Sequence, residues 1–482
     1  MVDALSCFSF FGSFLGALPL SISWPSFMAE VNEAEIEPLV LAGVLLSLIT
    51  VYLAAKVGGE LCARVNLPPV LGELLGGVVV GVSALHLIVF PEGAGESGSV
   101  LMQLVQSTSD LEPEGILSVF RGESEVVSVL AELGVIILLF EIGLESDLKE
   151  LIRVGPQAAV VAVIGVVVPF ALGTTGLIAL FNIATVPAVF AGAALTATSI
   201  GITAKVLAEI QKLSSKEGQI IIGAAVLDDV LGIIVLAVVA SLAKTGEIEI
   251  TNVAILIVSA AVFLVGAIFV GRLLSPLFVG LVDKMETRGE LIISSLIFAF
   301  VLSYIAATIQ LEAILGAFAA GLILAETPKH KQLEEQIVPI ADMLVPVFFV
   351  TVGARTDVSV LNPLDPANRE GLIIASFLVI VAIIGKVVTG FAVFGQPGIN
   401  RLAIGVGMVP RGEVGLVFAG VGSASGALSE SLEAAIIVMV ILTTFVAPPL
   451  LRIVFKDSDS VPPDEEVQVA TSSSSEEQPS AS

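Results

Sequence analysis

Asp228 and Asp229 stand side by side in AAVLDDVLGIIVLA (Ala224–Ala237), a run that otherwise holds nothing a lipid bilayer rejects. A charged side chain at a membrane centre costs about 2.5–3.5 kcal/mol on insertion scales, so two in succession demand a reason. Burial disfavours an ionised carboxylate unless a cation compensates it. Protons and a hard cation such as Na+ therefore compete for the same oxygens. That competition is the chemistry of exchange, because one carboxylate does not hold both together. Neighbouring helix positions point about 100° apart. One carboxylate can thus meet a fixed counter-charge while the other faces a cavity.

The counter-charge expected for Asp228 is Lys386, which sits mid-segment in VAIIGKVVTGFAVF, about ten residues from either end and too deep to snorkel. Its ammonium is tolerated in lipid while its acidic partner is ionised, so the pair can make and break with proton traffic. A second candidate pair joins Glu141 or Glu145 to Arg355, as a structural tie or as a gate. Lys56, Glu73 and Glu132 read as interfacial or packing residues.

Two other stretches interrupt apolar segments. ALTATSIGITAK (Ala194–Lys205) places Thr196, Thr198 and Ser199 in the middle of one; GVGMVPRGEVG (Gly405–Gly415) places Pro410, Arg411 and Glu413 in the middle of another. Proline removes a backbone donor and glycine lets the chain unwind. An unwound stretch exposes carbonyls that can coordinate a cation. Kinked but continuous packing helices are the competing reading of both, since serine and threonine are ordinary in membrane helices.

Such residues need elements that bury them in lipid, and the composition supplies these. Of 482 residues 56% are hydrophobic and 14% charged, with a mean hydropathy of +1.03. Soluble chains carry about 25% charge. Continuous apolar runs of about 20 residues recur, which is the length of a crossing helix and not the alternation of a membrane barrel. The expected fold is all-α, with about thirteen crossings over 38–62, 68–89, 125–147, 156–182, 187–210, 218–243, 252–279, 288–309, 313–326, 337–355, 370–395, 401–425 and 431–455. Residues 1–37 form an apolar N-terminal segment that is cleaved, interfacial or spanning, and 457–482 an acidic, disordered tail. About half of the net charge of −25 lies in that tail and in the loop Pro91–Glu123, and it gives no nucleic-acid signature. Cys7 and Cys62 match no metal spacing.

Basic loops stay cytoplasmic. With residues 29–37 outside, the inner loops hold Arg64, Lys149, Arg153, Lys212, Lys216 and most other basic residues. The outer loops hold only Arg121, Lys244 and Arg369, and the tail is then cytoplasmic. The chain also repeats itself. LGELLGG (Leu71–Gly77) parallels LGAFAAG (Leu315–Gly321), and LLFEIGLESD (Leu138–Asp147) parallels VFFVTVGARTD (Val347–Asp357). An odd number of crossings separates the copies, so they are inverted relative to each other, as in many secondary transporters.

The consecutive aspartates in LDDVLGIIVLAVV, the TATSIGITAKVL break, PRGEVGLV and the lysine of IIGKVVTG together resemble the cation–proton antiporters, in particular the electrogenic NapA-type branch related to the Kef-type transporters. The resemblance covers about 38–456. It implies an inverted-repeat fold with two broken crossing helices, a core domain (about 125–243 and 337–455) moving like an elevator against a dimerisation domain, and a homodimer with helix 38–62 at its interface. It also implies exchange of Na+ or Li+ for H+ without a cofactor, with two protons per sodium ion. By position Asp229 matches the ion-binding carboxylate, Asp228 the carboxylate paired to Lys386, and Thr198 the break nearby, so Asp229 and Asp228 are the expected Na+ ligands. The membrane is an inner cell membrane, or an internal one such as a thylakoid.

Kef-type K+/H+ exchange is the alternative. Kef-type members typically lack the second acidic residue and carry a cytosolic nucleotide-binding domain. An intramembrane aspartyl protease needs its aspartates on different helices. A channel needs a filter, and none is visible. The chain is not expected to be an enzyme.

Overall fold

The computed structural model describes residues 33–91, 99–107, 109, 113–245, 250–362, 364, 368–395 and 398–458. Most of the apolar N-terminal segment and nearly all of the acidic tail lie outside them. Among the described residues the regular elements are helical: α1 (Glu33–Arg64), α2 (Pro69–Val80), α3 (Val100–Ser107), α4 (Pro113–Glu145), α5 (Leu148–Phe181), α6 (Thr185–Ala194), α7 (Ile200–Glu209), α8 (Lys216–Thr245), α9 (Ile250–Val282), α10 (Glu290–Thr308), α11 (Ala313–Ala325), α12 (His330–Ala354), a 3-10 turn (Val358–Leu361), α13 (Asn368–Phe391), α14 (Arg401–Gly407), α15 (Glu413–Ala424) and α16 (Glu430–Ser458). Eight of them (α1, α4, α5, α8, α10, α12, α13 and α16) are long and apolar enough to cross a membrane.

Local chemistry sets several ends. Asp147 caps α5 by accepting from the Lys149 and Glu150 amides, and Asn182 closes that helix in a left-handed conformation (φ 53°). Asp357 caps the 3-10 turn by accepting from the Ser359 amide.

The loop expected over Pro91–Glu123 is only partly loop, because it contains α3 and the first turns of α4. Pro113 fits the first turn of a helix, and Ile36, Met102, Val105, Val119 and Phe120 bury one another there. Within this extension the buried Glu123 accepts from the Ser47 hydroxyl at 2.5 Å, tying α4 to α1.

Packing sorts the helices into two bodies. In the first, α1, α2, α4, α10, α11 and α12 pack mainly on one another; in the second, α5, α6, α8, α13, α14, α15 and α16 do, joined by α7, which continues from α6 and touches α2 and α4 of the first body as much as α8 and α16 of its own. This departs from the expected core of 125–243 and 337–455, since α4 and α12 belong with the first body. The reason is backbone contact. A side chain on Gly353 of α12 would collide with the Leu74 carbonyl of α2, and one on Gly143 of α4 with the Phe318 carbonyl of α11. Bare glycines let these pairs approach so closely that they pack as units.

Candidate functional site

Two pairs of consecutive helices in the second body are separated by short non-helical breaks. α6 and α7 are separated by Leu195–Ser199, and α14 and α15 by Met408–Gly412, so breaks replace the kinked alternative at both places. Helix ends buried in apolar surroundings leave orphan amides and carbonyls that need partners. Each break supplies them to the other. The Ser199 amide donates to the Pro410 carbonyl at 2.8 Å. The Thr198 hydroxyl donates to the Met408 carbonyl and Thr203 to the Gly407 carbonyl, both at 3.1 Å, covering the end of α14. The fully buried Arg411 guanidinium donates to the Leu195 and Ala197 carbonyls, covering the end of α6. Thr444 of α16 donates to the Arg411 carbonyl. Thr196 is satisfied within its own turn by the Ala193 carbonyl.

The aspartate pair of α8 lies against this crossing. Lys386 Nζ of α13 is 3.0 Å from Asp228 Oδ2, with neither side chain exposed. Gly165 of α5 makes room for that ammonium, which lies 3.1 Å from where a Cβ would stand. Arg411 adds a second positive charge that Asp228 feels. Asp229 points elsewhere: it lines a chamber of about 20 Å3 with Ala197, Thr198, Ser199, Gly201 and Gly412 of the second body, and Val135, Glu312, Ile314 and Phe348 of the first. A cavity of that size admits about one water-sized occupant. Asp229 therefore sits on the boundary between the bodies, 4% exposed.

A larger cavity of about 440 Å3 opens on one side, lined by Ser128, Glu132, Glu312 and Arg355 among others. It shares Val135, Glu312, Ile314, Phe348 and Gly412 with the Asp229 chamber. At the opposite end the bodies are in contact, where the Val70 amide in the first turn of α2 donates to Glu209 of α7 at 3.2 Å.

The pairing of Arg355 with Glu141 or Glu145 does not occur. Arg355 donates to Ser128 at 2.7 Å and lies over the Phe90 ring at 4.4 Å. α4 and α12 run antiparallel, so Ser128 meets Arg355 at one end while Glu145 is near Glu334 at the other. Glu141 is 13 positions beyond Ser128, about 20 Å along the helix. Glu132, read as a packing residue, lines the cavity instead. Pro410 is buried in the second break, and Glu413 begins α15. The sequence reading missed Thr203, Glu209 and Glu312. A glutamate three residues before LGAFAAG was a signal for the last, whereas nothing local distinguished Thr203.

The family described as sodium/hydrogen exchanger, transmembrane, matches residues 44–457. The chain belongs to that family. Its relatives are membrane transporters, not enzymes. The chain is 70% identical over 435 residues to the high-affinity Na+/H+ antiporter NhaS3 of Synechocystis, covering 90% of this chain and 94% of that one. It is 33% identical over 413 residues to a probable Na+/H+ antiporter, GerT, of Bacillus cereus, covering 85% and 98%. The sodium–proton antiporter MjNhaP1 of Methanocaldococcus jannaschii shares the fold, with a TM-score of 0.55 and 16% identity over 88% of this chain and 97% of that one.

Proposed function

We propose that the chain exchanges Na+ for H+ at Asp229 by moving its second body against the first. The observation that carries this is the different fate of two adjacent carboxylates: Asp228 is bound to Lys386, while Asp229 faces a chamber on the body boundary. With both aspartates ionised, Lys386 and Arg411 balance them. Na+ at Asp229 then adds one charge, and a proton there does the same, so the two substitute for each other. The Thr198 and Ser199 segment of the first break supplies hydroxyl and carbonyl oxygen beside Asp229. If Lys386 also releases a proton when Na+ enters, two protons move per sodium ion. Transport is then electrogenic, with about 2.3 kcal/mol per charge for each 100 mV.

An inverted repeat is supported by reciprocal contacts. Gly77 faces the Val350 carbonyl and Gly353 the Leu74 carbonyl; Gly321 faces the Phe140 carbonyl and Gly143 the Phe318 carbonyl. Aligning Gly77 with Gly321 and Gly143 with Gly353 converts the first pair of contacts into the second. Asp147 and Asp357, aligned by the same repeat, both act as N-caps. With α2, α9, α11 and the two broken pairs counted beside the eight long helices, the crossings number thirteen. The basic residues Arg64, Lys149, Lys212 and Lys216 favour a cytoplasmic Glu209 end and tail, in an inner cell membrane or an internal one such as a thylakoid, with the Arg355 cavity facing away from the cytoplasm. A stripe on α1 (Leu41, Leu45, Ile49, Leu53, Val57) is exposed and available to a second copy of the chain. K+ is the competing cargo; the small chamber favours the smaller ion.

The test is dilution-driven exchange in vesicles containing purified protein, followed by an internal pH dye. Na+ collapses the pH gradient in the parent, and Asp229→Asn abolishes this. Persistent Na+-driven proton movement in that variant rejects the assignment.

A further inference from the structure

Glu312 is a carboxylate that neither the exchange chemistry nor the fold uses. It is the N-cap residue of α11, yet its side chain makes no cap hydrogen bond. Among the described residues it has no hydrogen-bond or ion-pair partner. Its position is distinctive, because it borders both the small chamber of Asp229 and the larger cavity that shares five lining residues with that chamber. Of the charged residues lining the larger cavity (Glu132, Glu312 and Arg355), only Glu312 also lines the chamber. It belongs to α11 in the first body, whereas Asp229 belongs to α8 in the second.

α11 is only 13 residues long, about 20 Å, shorter than a hydrocarbon layer of about 30 Å, so a crossing built on it has an end below the surface. Glu312 lines the same chamber as the mid-segment Asp229, so that end is the N-terminal one. An acidic group at a helix N-terminus has an ordinary purpose, complementing the helix dipole. A carboxylate serving that purpose alone has no reason to border both the Asp229 chamber and the cavity beside it.

Resting on the reading of Asp229 as the exchange site, we propose that Glu312 is a positioning residue at the threshold of that site, which concentrates and hands on Na+ arriving from the Arg355 side. When ionised it is an acceptor-only group at the rim of a chamber of about 20 Å3, where a negative charge raises the local cation concentration. It remains with the first body when Asp229 moves with the second. It therefore acts on one side of the membrane only, and a change in it alters Na+ affinity from that side while leaving the turnover of bound ion intact.

The experiment measures Na+-dependent exchange in vesicles of both orientations for the parent, Glu312→Gln, Glu312→Asp and Asp229→Asn. Glu312→Gln is expected to raise the Na+ KM about tenfold from the Arg355 side, the effect of losing one moderately screened charge pair. It keeps the KM from the other side and the maximal rate within about twofold. Glu312→Asp keeps the charge and is expected to stay near the parent, and it remains readable if the glutamine variant fails to fold. A Glu312→Gln KM unchanged on the Arg355 side, or raised equally on both sides, overturns the inference, as does a Glu312→Asp KM raised tenfold on that side. If Asp229→Asn is inactive while Glu312→Gln matches the parent, only the role of Glu312 falls. If Asp229→Asn still exchanges, the site assignment falls and the role of Glu312 with it.

Discussion

Lys386 and Asp228 form an ion pair, 3.0 Å between Nζ and Oδ2, that is wholly withdrawn from solvent and lipid. Removing one partner of a buried pair leaves the other charge uncompensated and costs about 3–5 kcal/mol. Lys386→Ala should therefore lower the melting temperature of detergent-solubilised protein strongly. The double variant Asp228→Asn with Lys386→Gln should be less destabilised than either single variant. Equal melting of the parent and Lys386→Ala would contradict a pair that bears on stability.

Arg411 holds the two breaks together by donating to the Leu195 and Ala197 carbonyls. Arg411→Leu strands both buried acceptors at about 1–3 kcal/mol each. We expect poor folding yield by fluorescence-detected gel filtration. Lysine, which lacks the planar fork, should restore only part of it.

The glycine contacts make a paired prediction. Gly353→Ala and Gly143→Ala each push a methyl group into a carbonyl of the neighbouring helix, the Leu74 and Phe318 carbonyls respectively. Overpacking of this kind costs about 1–3 kcal/mol. Losses of similar size in the two variants are expected from thermal melts if the repeat is real. Gly266→Ala, where a Cβ meets nothing within 4 Å, is the control.

Competition at Asp229 predicts a linked effect of Na+ and acidity. Na+ binding to the folded state stabilises it by about 2.7 kcal/mol at a hundredfold excess over its dissociation constant. Protonation of the same carboxylate removes the binding site, so the Na+-dependent rise in melting temperature should shrink as pH falls and vanish in Asp229→Asn. A rise that persists at low pH or in the variant would place the ion elsewhere.

Much of this was legible in the chain itself. Two adjacent aspartates and one lysine in apolar segments can be borne only by pairing or by use, and Pro410 with the glycines around it weakens a helix there. Lys386 as a candidate partner of Asp228 and both stretches as candidate breaks follow from those local rules. The Arg355 pairing was misjudged because matched positions in a repeat were read as neighbours. Antiparallel packing of α4 and α12 instead places them at opposite ends.

What the sequence alone determined is the set of residues that lipid makes expensive, and hence where chemistry had to reside. Only the tertiary structure decided which groups meet: that Arg411 covers the end of α6, that α4 and α12 pack with the first body, and that Glu312 borders the chamber of Asp229. The physical reason is range. The cost of burying a charge and the breaking of a helix are set within a few residues. Contact between bodies depends on glycine-level fit between helices far apart in the chain, and no local pattern encodes it.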